Sequence, residues 1–207
     1  MQKNDLKANT KDEDLIILGS GSPRRRELLG TILSDFEVFV SDADELTEHM
    51  DGPISLVQEN ARLKALSVSD VYPNRWVLGA DTLVFLENKV LGKPKSMEEA
   101  NSMLKLLSGK THSVSTGICF VNQEKGYVEC RVGSSLVSFK VLNDQIIKEY
   151  FKEVNPLDKA GAYAIQTRPD LIIDRFKGSR TNVIGLPIEL LVEWMEELKF
   201  PLKKTSV

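Results

Sequence analysis

A single aspartate lies inside one of the most apolar segments of the chain. Asp81 interrupts residues 76–86 (WVLGADTLVFL), where a carboxylate is costly unless it is hydrogen-bonded, paired with a cation or bound to a metal. Other conspicuous polar residues at the ends of predicted elements are Glu45, Lys64, Lys93 and Gln166. Carboxylates in such a set could hold a metal or take part in acid–base chemistry. A carboxylate that merely caps a turn is the alternative for Asp81.

The segment before the first predicted helix is a candidate anion site. Small residues at 19–22 (GSGS) follow an apolar run, Ser22 can cap the helix, and Pro23 suits its first position. Free N–H groups and the helix dipole favour negative charge there, so Ser20, Ser22 and Arg24 become candidate phosphate ligands. The segment matches neither the P-loop nor the dinucleotide-binding motif. The alternative to an anion site is an ordinary strand-turn-helix connection with no ligand.

The remaining polar residues indicate no other kind of site. Glu45 belongs to the acidic run 41–45 (SDADE), for which a solvated loop is the simpler interpretation. His112 has no acid, thiol or second histidine at ligand spacing, which argues against zinc. No serine or cysteine pairs convincingly with a histidine as a nucleophile. The combination of residues therefore carries more information than any member of it.

Length and composition predict one large globular domain or two small lobes that share a core. The chain has 207 residues, of which 42% are hydrophobic and 28% charged. A net charge of −3 does not favour nucleic acid or an acidic membrane surface, and no stretch approaches the ~20 apolar residues of a membrane span. We expect a flexible tail over residues 1–14, a single domain over 15–200 and a C-terminal tail over 201–207.

The two cysteines bear on the cellular compartment. Cys119 and Cys130 have neither CxxC spacing nor the density of a secreted disulfide scaffold. This usage favours a reducing environment, and we expect a cytoplasmic protein.

The elements that must position the polar residues alternate between strands and helices. Apolar runs and alternation predict strands over 15–18, 36–40, 76–86 (interrupted at 79–82), 112–121 and 127–141, the last two antiparallel. Helical spacing and caps predict helices from Pro23 to a stop at Gly30, over 53–68, from Ser96 to Gly109, over 144–154 and over 187–198. This order predicts an α/β class built around a mixed sheet.

Six segments of the sequence, taken in order, resemble the Maf family of nucleoside triphosphate pyrophosphatases. They are residues 18–29 (LGSGSPRRRELL), 60–65 (NARLKA), 79–82 (GADT), 92–94 (GKP), 156–166 (PLDKAGAYAIQ) and 181–187 (TNVIGLP). The resemblance implies a long mixed sheet with helices on both sides and two lobes around a central cleft. It also implies metal-dependent cleavage of a nucleoside triphosphate between its α- and β-phosphates.

The resemblance makes Asp81 the catalytic acid–base residue, and we expect it to bind the metal, with Glu45 as the second acidic ligand. Oxygen ligands without histidine or cysteine suit Mg²⁺ or Mn²⁺. The phosphate ligands would be Ser20, Ser22, Arg24, Lys64 and Lys93. The base-specificity positions Arg24, Thr82 and Gln166 resemble those of the subgroup acting on dTTP and UTP.

Two positions depart from the family pattern. Thr167 replaces a glycine after the Ile-Gln pair, and Arg180 replaces a tyrosine before Thr-Asn-Val. Both lie near the expected base-contact loop, so they bear on base preference more than on the reaction. The alternatives are the same reaction on a purine or 7-methyl-GTP, and a non-catalytic nucleotide-binding regulator of septum formation. The oligomeric state stays open, with a homodimer as the candidate.

Overall fold

The protein forms one mixed sheet with helices packed on both of its faces. The computed structural model describes residues 15–203, so the predicted tail over 1–14 and residues 204–207 lie outside the described residues. The strands are β1 (Ile17–Leu18), β2 (Glu37–Val38), β3 (Val77–Leu86), β4 (Lys89–Leu91), β5 (Thr111–Asn122), β6 (Tyr127–Phe139) and β7 (Ile173–Lys177). Their order in the sheet is β2-β1-β3-β5-β6-β7, with β4 paired to β3.

Among the described residues, five helices begin within one residue of their predicted starts, and two short ones, Pro169–Ile172 and Arg180–Ile184, were not predicted. They are α1 (Pro23–Ile32), α2 (Pro53–Val71), α3 (Met97–Leu107), α4 (Asp144–Glu153), α5 (Pro169–Ile172), α6 (Arg180–Ile184) and α7 (Ile188–Glu197), with a 3-10 turn at Ala160–Ala162. Ser22 caps α1 and Ser96 caps α3 by accepting backbone N–H bonds, as the sequence predicts. The predicted stop at Gly30 is wrong: α1 continues to Ile32, because Gly30 adopts no positive φ and leaves the helix intact.

Strand β3 is the central strand that carries Asp81. It pairs in parallel with β1 and antiparallel with β5. The predicted interruption at 79–82 is wrong, since the backbone of Gly79 and Asp81 continues the ladder opposite Cys119 and Gly117. A long continuous strand follows from the nearly unbroken apolar sequence of a strand covered on both faces.

Two helical layers bury the sheet. On one face, α2 packs through a stripe of small and β-branched residues, namely Ala61, Ala65 and Val68, against Ile17 and Val77. On the other face, α1 and α7 contribute Leu29, Leu191 and Trp194 to a cluster with Leu78 and Phe120. None of the helices within residues 15–203 combines the length and apolar character needed to cross a bilayer.

The two cysteines are directly opposite each other on β5 and β6. Their Cα atoms are 4.1 Å apart, and the sulfur atoms are joined as a disulfide. The sequence interpretation, which relied on spacing, did not anticipate this pairing. The tight turn between β5 and β6 brings residues eleven positions apart into register. The pairing removes the cysteine argument for a reducing compartment.

Candidate active site

A cavity of about 610 Å³ opens at an uncovered stretch of the β3 edge. Strand β1 pairs with β3 only at Val77 and Leu78, and β4 pairs with it only from Val84 onward. Since β5 occupies the opposite edge throughout, the segment between these two short neighbours has no partner strand among the described residues. Asp81 and Thr82 lie in this gap, and their side chains point to opposite faces of the sheet.

All nine residues predicted for the site line this cavity. They are Ser20, Ser22, Arg24, Glu45, Lys64, Asp81, Thr82, Lys93 and Gln166. They come from six separate stretches of chain, spanning positions 20–166. The volume lies within the usual range of roughly 300–1,000 Å³ for small-molecule sites.

Close packing of α2 on the sheet positions the aspartate. A Cβ added to Gly79 would stand 2.3 Å from the carbonyl oxygen of Ala61, and one at Gly117 would stand 2.5 Å from that of Val57. Only glycine permits this approach of helix to sheet. As a result, Asn60 and Lys64 on α2 lie directly over the Asp81 carboxylate.

Asp81 is almost fully buried and engaged through both oxygens. Lys64 Nζ lies 2.7 Å from Asp81 Oδ1, and Asn60 Nδ2 donates to Asp81 Oδ2 over 3.4 Å. The aspartate is 5% exposed, so the ion pair supplies the partner that a buried carboxylate requires. Because the hydrogen bond from Asn60 is long, Oδ2 is held less tightly than Oδ1 and is the oxygen more available to a ligand.

Glu45 reaches the same ammonium group from the opposite side. Lys64 Nζ lies 2.9 Å from Glu45 Oε1, so one cation bridges the two acids. Asn60 fixes the loop that carries Glu45, because its side-chain amide accepts from the Leu46 N–H and donates to the Leu46 carbonyl. The sequence interpretation assigned no role to Asn60, although it belongs to the matched segment 60–65.

The residues present fit a hard divalent cation. The carboxylates of Asp81 and Glu45 both contact the ammonium group of Lys64, so they lie on either side of one position that a cation can occupy. Within residues 15–203, no three His, Cys, Asp or Glu side chains form a metal-ligand cluster. A two-carboxylate set suits a cation such as Mg²⁺, which usually takes its other ligands from water and substrate phosphates.

The two adjacent arginines of α1 play different parts. Arg24 stands at the cavity rim, where it donates to the carbonyl of Asp158 over 3.2 Å. Arg25 is partly buried and donates to Ser20 Oγ, Thr82 Oγ1 and the carbonyl of Gly185. Burial lowers the pKa of the Arg25 guanidinium, and the charges of Asp81 and Glu45 oppose that effect. Arg25 belongs to the matched segment 18–29, but the sequence assigned it no function.

Two lysines supply positive charge from the other side of the cavity. Lys93 follows β4, and Lys159 lies just before the 3-10 turn. The N–H of Gly161 donates to the carbonyl of Gly92, which ties these two loops together. Lys159 Nζ contacts Asp158 Oδ1 at 2.6 Å. Lys159 belongs to the matched segment 156–166, but its cavity position was not predicted.

The loop that carries Gln166 is held by buried aromatic side chains. The Tyr150 hydroxyl accepts from the Ala164 N–H and donates to the Ala164 carbonyl. The Tyr163 hydroxyl bonds Nε2 of His112 at 2.8 Å, whereas Nδ1 of His112 has no partner within the described chain. Burial lowers the pKa of His112 to about 4 and raises that of Tyr150 to about 12. Within the described residues, His112 is therefore hydrogen-bonded through one ring nitrogen only.

The two departures from the family pattern lie beside this loop. Thr167 has no positive φ, so its position does not require the glycine found there in the family. The left-handed residue is its neighbour Arg168, with φ 43°. Arg180 donates to the carbonyl of Ile165 over 3.4 Å and thereby adds a further contact to the Gln166 loop.

Sequence comparisons give one consistent result. The sequence model of the family described as "Maf-like protein" matches residues 15–198. A protein of Syntrophus aciditrophicus named dTTP/UTP pyrophosphatase is 40% identical over 183 residues, covering 88% of this chain and 89% of that protein. Proteins of the same name from Myxococcus xanthus and Pyrococcus abyssi are 40% and 42% identical over 191 and 179 residues, respectively. They are matched over 92% and 86% of this chain and over 96% and 94% of their own lengths.

Proposed function

Because the chain belongs to the Maf family, we propose that it is a nucleoside triphosphate pyrophosphatase that hydrolyses dTTP and UTP to the monophosphate and pyrophosphate. The observation that carries the proposal is a cavity in which the buried Asp81 lies among several cationic side chains. These are Arg24, Arg25, Lys64, Lys93 and Lys159. The relatives' shared name supports the choice of nucleotides.

The cationic residues are placed to hold a triphosphate. The N-terminus of α1, capped by Ser22, presents free N–H groups at the cavity wall beside Ser20. Arg24 can grip two phosphate oxygens through its planar guanidinium, and Lys93 and Lys159 act as point charges. The anchored triphosphate would bring its α-phosphorus to the uncovered edge of β3.

Asp81 acts in the chemical step as a proton acceptor. The water oxygen forms a bond to the α-phosphorus while the bridge from that phosphorus to the β-phosphate breaks. Asp81 takes the water proton, and the bond electrons leave with pyrophosphate. In this structure Lys64 contacts Oδ1, so Oδ2 is the oxygen left to accept the proton. Ser20, Arg24 and Lys93 stabilise the charge that develops on the departing group.

Asp81 and Glu45 would hold Mg²⁺ or Mn²⁺ as the cofactor. Bound there, the metal would polarise the phosphate oxygens and neutralise developing charge. Lys64 would then move its ammonium from between the carboxylates toward the phosphate chain, which reconciles its ion pairs with its predicted phosphate role.

The cellular setting is part of the same proposal. A cytoplasmic enzyme that removes surplus or non-standard pyrimidine triphosphates fits the lack of a bilayer-spanning helix within residues 15–203 and the net charge of −3. We infer no nucleic-acid or membrane partner. A homodimer is proposed because Val38 and Phe39, at the β2 edge, are exposed apolar residues. Light scattering of the purified protein would measure the oligomeric state.

The deciding experiment is a substrate panel with product identification. Purified protein with Mg²⁺ is assayed against dTTP, UTP, CTP, GTP, ATP and 7-methyl-GTP, and nucleotide products are separated by chromatography. We expect UMP and dTMP with equimolar pyrophosphate from the first two. Preferred hydrolysis of a purine would reassign the substrate, release of orthophosphate would reject the reaction, and binding without turnover would indicate a regulator.

A further inference from the structure

The loop that carries Glu45 depends on side chains for its position. It joins β2 to α2 over residues 39–52. Within residues 15–203, positions 40–48 of this loop take part in no hydrogen bond between two backbone groups. The Glu45 side chain is 55% exposed, and its ion-pair partner in the described chain is Lys64. What holds Glu45 near the cavity must therefore be sought on the elements beside the loop.

One face of α2 holds this loop through polar side chains at positions 60, 64 and 67. Residues spaced by four and three positions lie on the same face of a helix. Lys64 contacts Glu45 over 2.9 Å, and Ser67 donates to Asp42 over 2.8 Å. A divalent cation between the two carboxylates would displace Lys64 from Glu45. The contact that then remains next to Glu45 is the one made by Asn60.

The Asn60 amide is buried and makes three hydrogen bonds. Its side-chain oxygen accepts from the Leu46 N–H over 2.8 Å, and Nδ2 donates to the Leu46 carbonyl over 3.1 Å and to Asp81 Oδ2 over 3.4 Å. The flipped amide would set its oxygen against a carbonyl and a carboxylate, so the partners fix its orientation. Asn60 is 2% exposed, so water is not available to replace these bonds. A single side chain thus contacts both the Glu45 loop and Asp81.

We propose that Asn60 is a positioning residue for the metal ligands: it holds Glu45 and Asp81 at a fixed separation and thereby sets the affinity of the site for a divalent cation. The inference rests on the proposed function, to which that cation belongs. Ligands that are already ordered lose less conformational freedom on binding. Residues that orient metal ligands typically change metal affinity by roughly 10–100-fold.

The test measures the binding of Mn²⁺ alone, without nucleotide, from the electron paramagnetic resonance signal of the free ion. Asn60→Ala removes the amide without adding bulk, and Asn60→Leu removes it at similar volume, so a folding defect in one variant leaves the other to decide. We expect the dissociation constant for Mn²⁺ to rise roughly tenfold or more in both. Circular dichroism checks the fold of each variant.

Asn122→Ala is the matched control for the loss of a buried amide. Asn122 is 1% exposed and bonds the Asn74 carbonyl and the Lys125 N–H, and it does not line the cavity. It should bind Mn²⁺ as the wild type does. An unchanged dissociation constant in the folded Asn60 variants, or an equal rise in Asn122→Ala, would overturn the proposal.

A second comparison asks whether Asn60 acts through Glu45. In a Glu45→Gln protein the loop no longer presents a carboxylate, so adding Asn60→Ala should change Mn²⁺ affinity by less than roughly threefold. An effect as large as in the wild type would show that Asn60 acts elsewhere and would overturn the inference, as would equal Mn²⁺ affinity of the wild type and Glu45→Gln. If the wild type binds Mn²⁺ and Asn60 sets that affinity, but neither dTTP nor UTP is hydrolysed, the proposed function fails and the positioning role stands.

Discussion

Lys64 and Asp81 form the central ion pair of the cavity, with 2.7 Å between Nζ and Oδ1 and side-chain exposures of 12% and 7%. The lysine comes from a helix and the aspartate from the middle of a strand, and only the close contact of α2 with Gly79 brings them together. A partly buried pair of this kind is screened little by solvent. Glu45 also contacts the Lys64 ammonium, so a divalent cation could take the position between the two carboxylates.

Asp81→Asn should abolish most turnover and leave the fold intact. The amide keeps the shape and the contact with Asn60, but it cannot accept the water proton or neutralise a metal ion. We expect kcat to fall by roughly 10²–10⁴-fold, the usual contribution of a general base. Steady-state assays with UTP measure the loss, and circular dichroism checks the fold. Asp174→Asn, at an exposed strand position, is the matched control, and wild-type turnover by Asp81→Asn would contradict its assigned role.

Chelation of divalent metal should stop the reaction without unfolding the protein. Only two carboxylates of the described chain converge on the proposed metal position, so the fold does not depend on the ion as a zinc-organised domain does. With excess EDTA, activity should vanish while the melting temperature changes by only a few degrees. Added Mg²⁺ or Mn²⁺ should restore activity. Full turnover in EDTA would argue against a metal-dependent step.

The sequence predicted nine residues that line the cavity, because several of them belong to segments with a local signal. Ser22 and Pro23 mark a helix start by chemistry that needs no tertiary information. Asp81 drew attention because a carboxylate in an apolar run is unusual. Lys93 and Gln166 were placed by resemblance, since isolated polar residues in loops carry no distinguishing local signal.

Residues whose roles depend on distant partners were missed. In the sequence Arg25 cannot be distinguished from Arg24. Its inward orientation depends on a hydrogen bond to the carbonyl of Gly185, 160 residues further along the chain. Asn60 orients the loop at Leu46, fourteen residues earlier in the chain. No sequence motif marks this pair of residues. The Cys119–Cys130 pair depends on strand register, which the turn at residues 122–126 sets. Such relationships belong to the tertiary structure.

Gln166→Glu should change the ranking of nucleotides more than the overall rate. The exposed amide offers both a donor and an acceptor to a base edge, whereas a carboxylate only accepts. We expect UTP and dTTP to lose kcat/KM roughly tenfold relative to CTP, whose amino group can donate to the new carboxylate. Gln145→Glu, on the exposed start of α4, controls for added negative charge. Equal losses of kcat/KM on every nucleotide would count against a role for Gln166 in recognising the base.

Two glycine-to-alanine changes should have opposite effects on stability. Gly79→Ala forces a methyl group against the backbone of Ala61 and Ala65 at distances under 3 Å, so we expect a loss of several kcal/mol in the free energy of unfolding. Gly30→Ala lies inside α1, where the nearest atom is 3.9 Å away, and it should stabilise by about 0.5–1 kcal/mol. Urea unfolding measures both. Equal effects would show that α2 does not pack on Gly79 as described.

His112 should make the protein less stable in mild acid. Burial lowers the pKa of its imidazole to about 4 in the folded state, against an ordinary value of 6.5. Between these values the unfolded chain binds a proton that the folded chain does not, so the free energy of unfolding falls as the pH drops from 6.5 toward 4. At pH ~4.5 the loss relative to pH ~7 should be roughly 2 kcal/mol.

The measurement compares urea unfolding at pH ~7 and ~4.5 for the wild type and His112→Gln, since the variant removes the titrating ring and keeps a polar group near Tyr163. We expect the variant to lose less stability than the wild type across this range. His49→Gln retains His112 and should show the wild-type dependence on pH. Identical pH profiles for His112→Gln and the wild type would show that the buried ring takes up its proton in the folded protein, contrary to the dry aromatic surroundings of Phe139 and Tyr163.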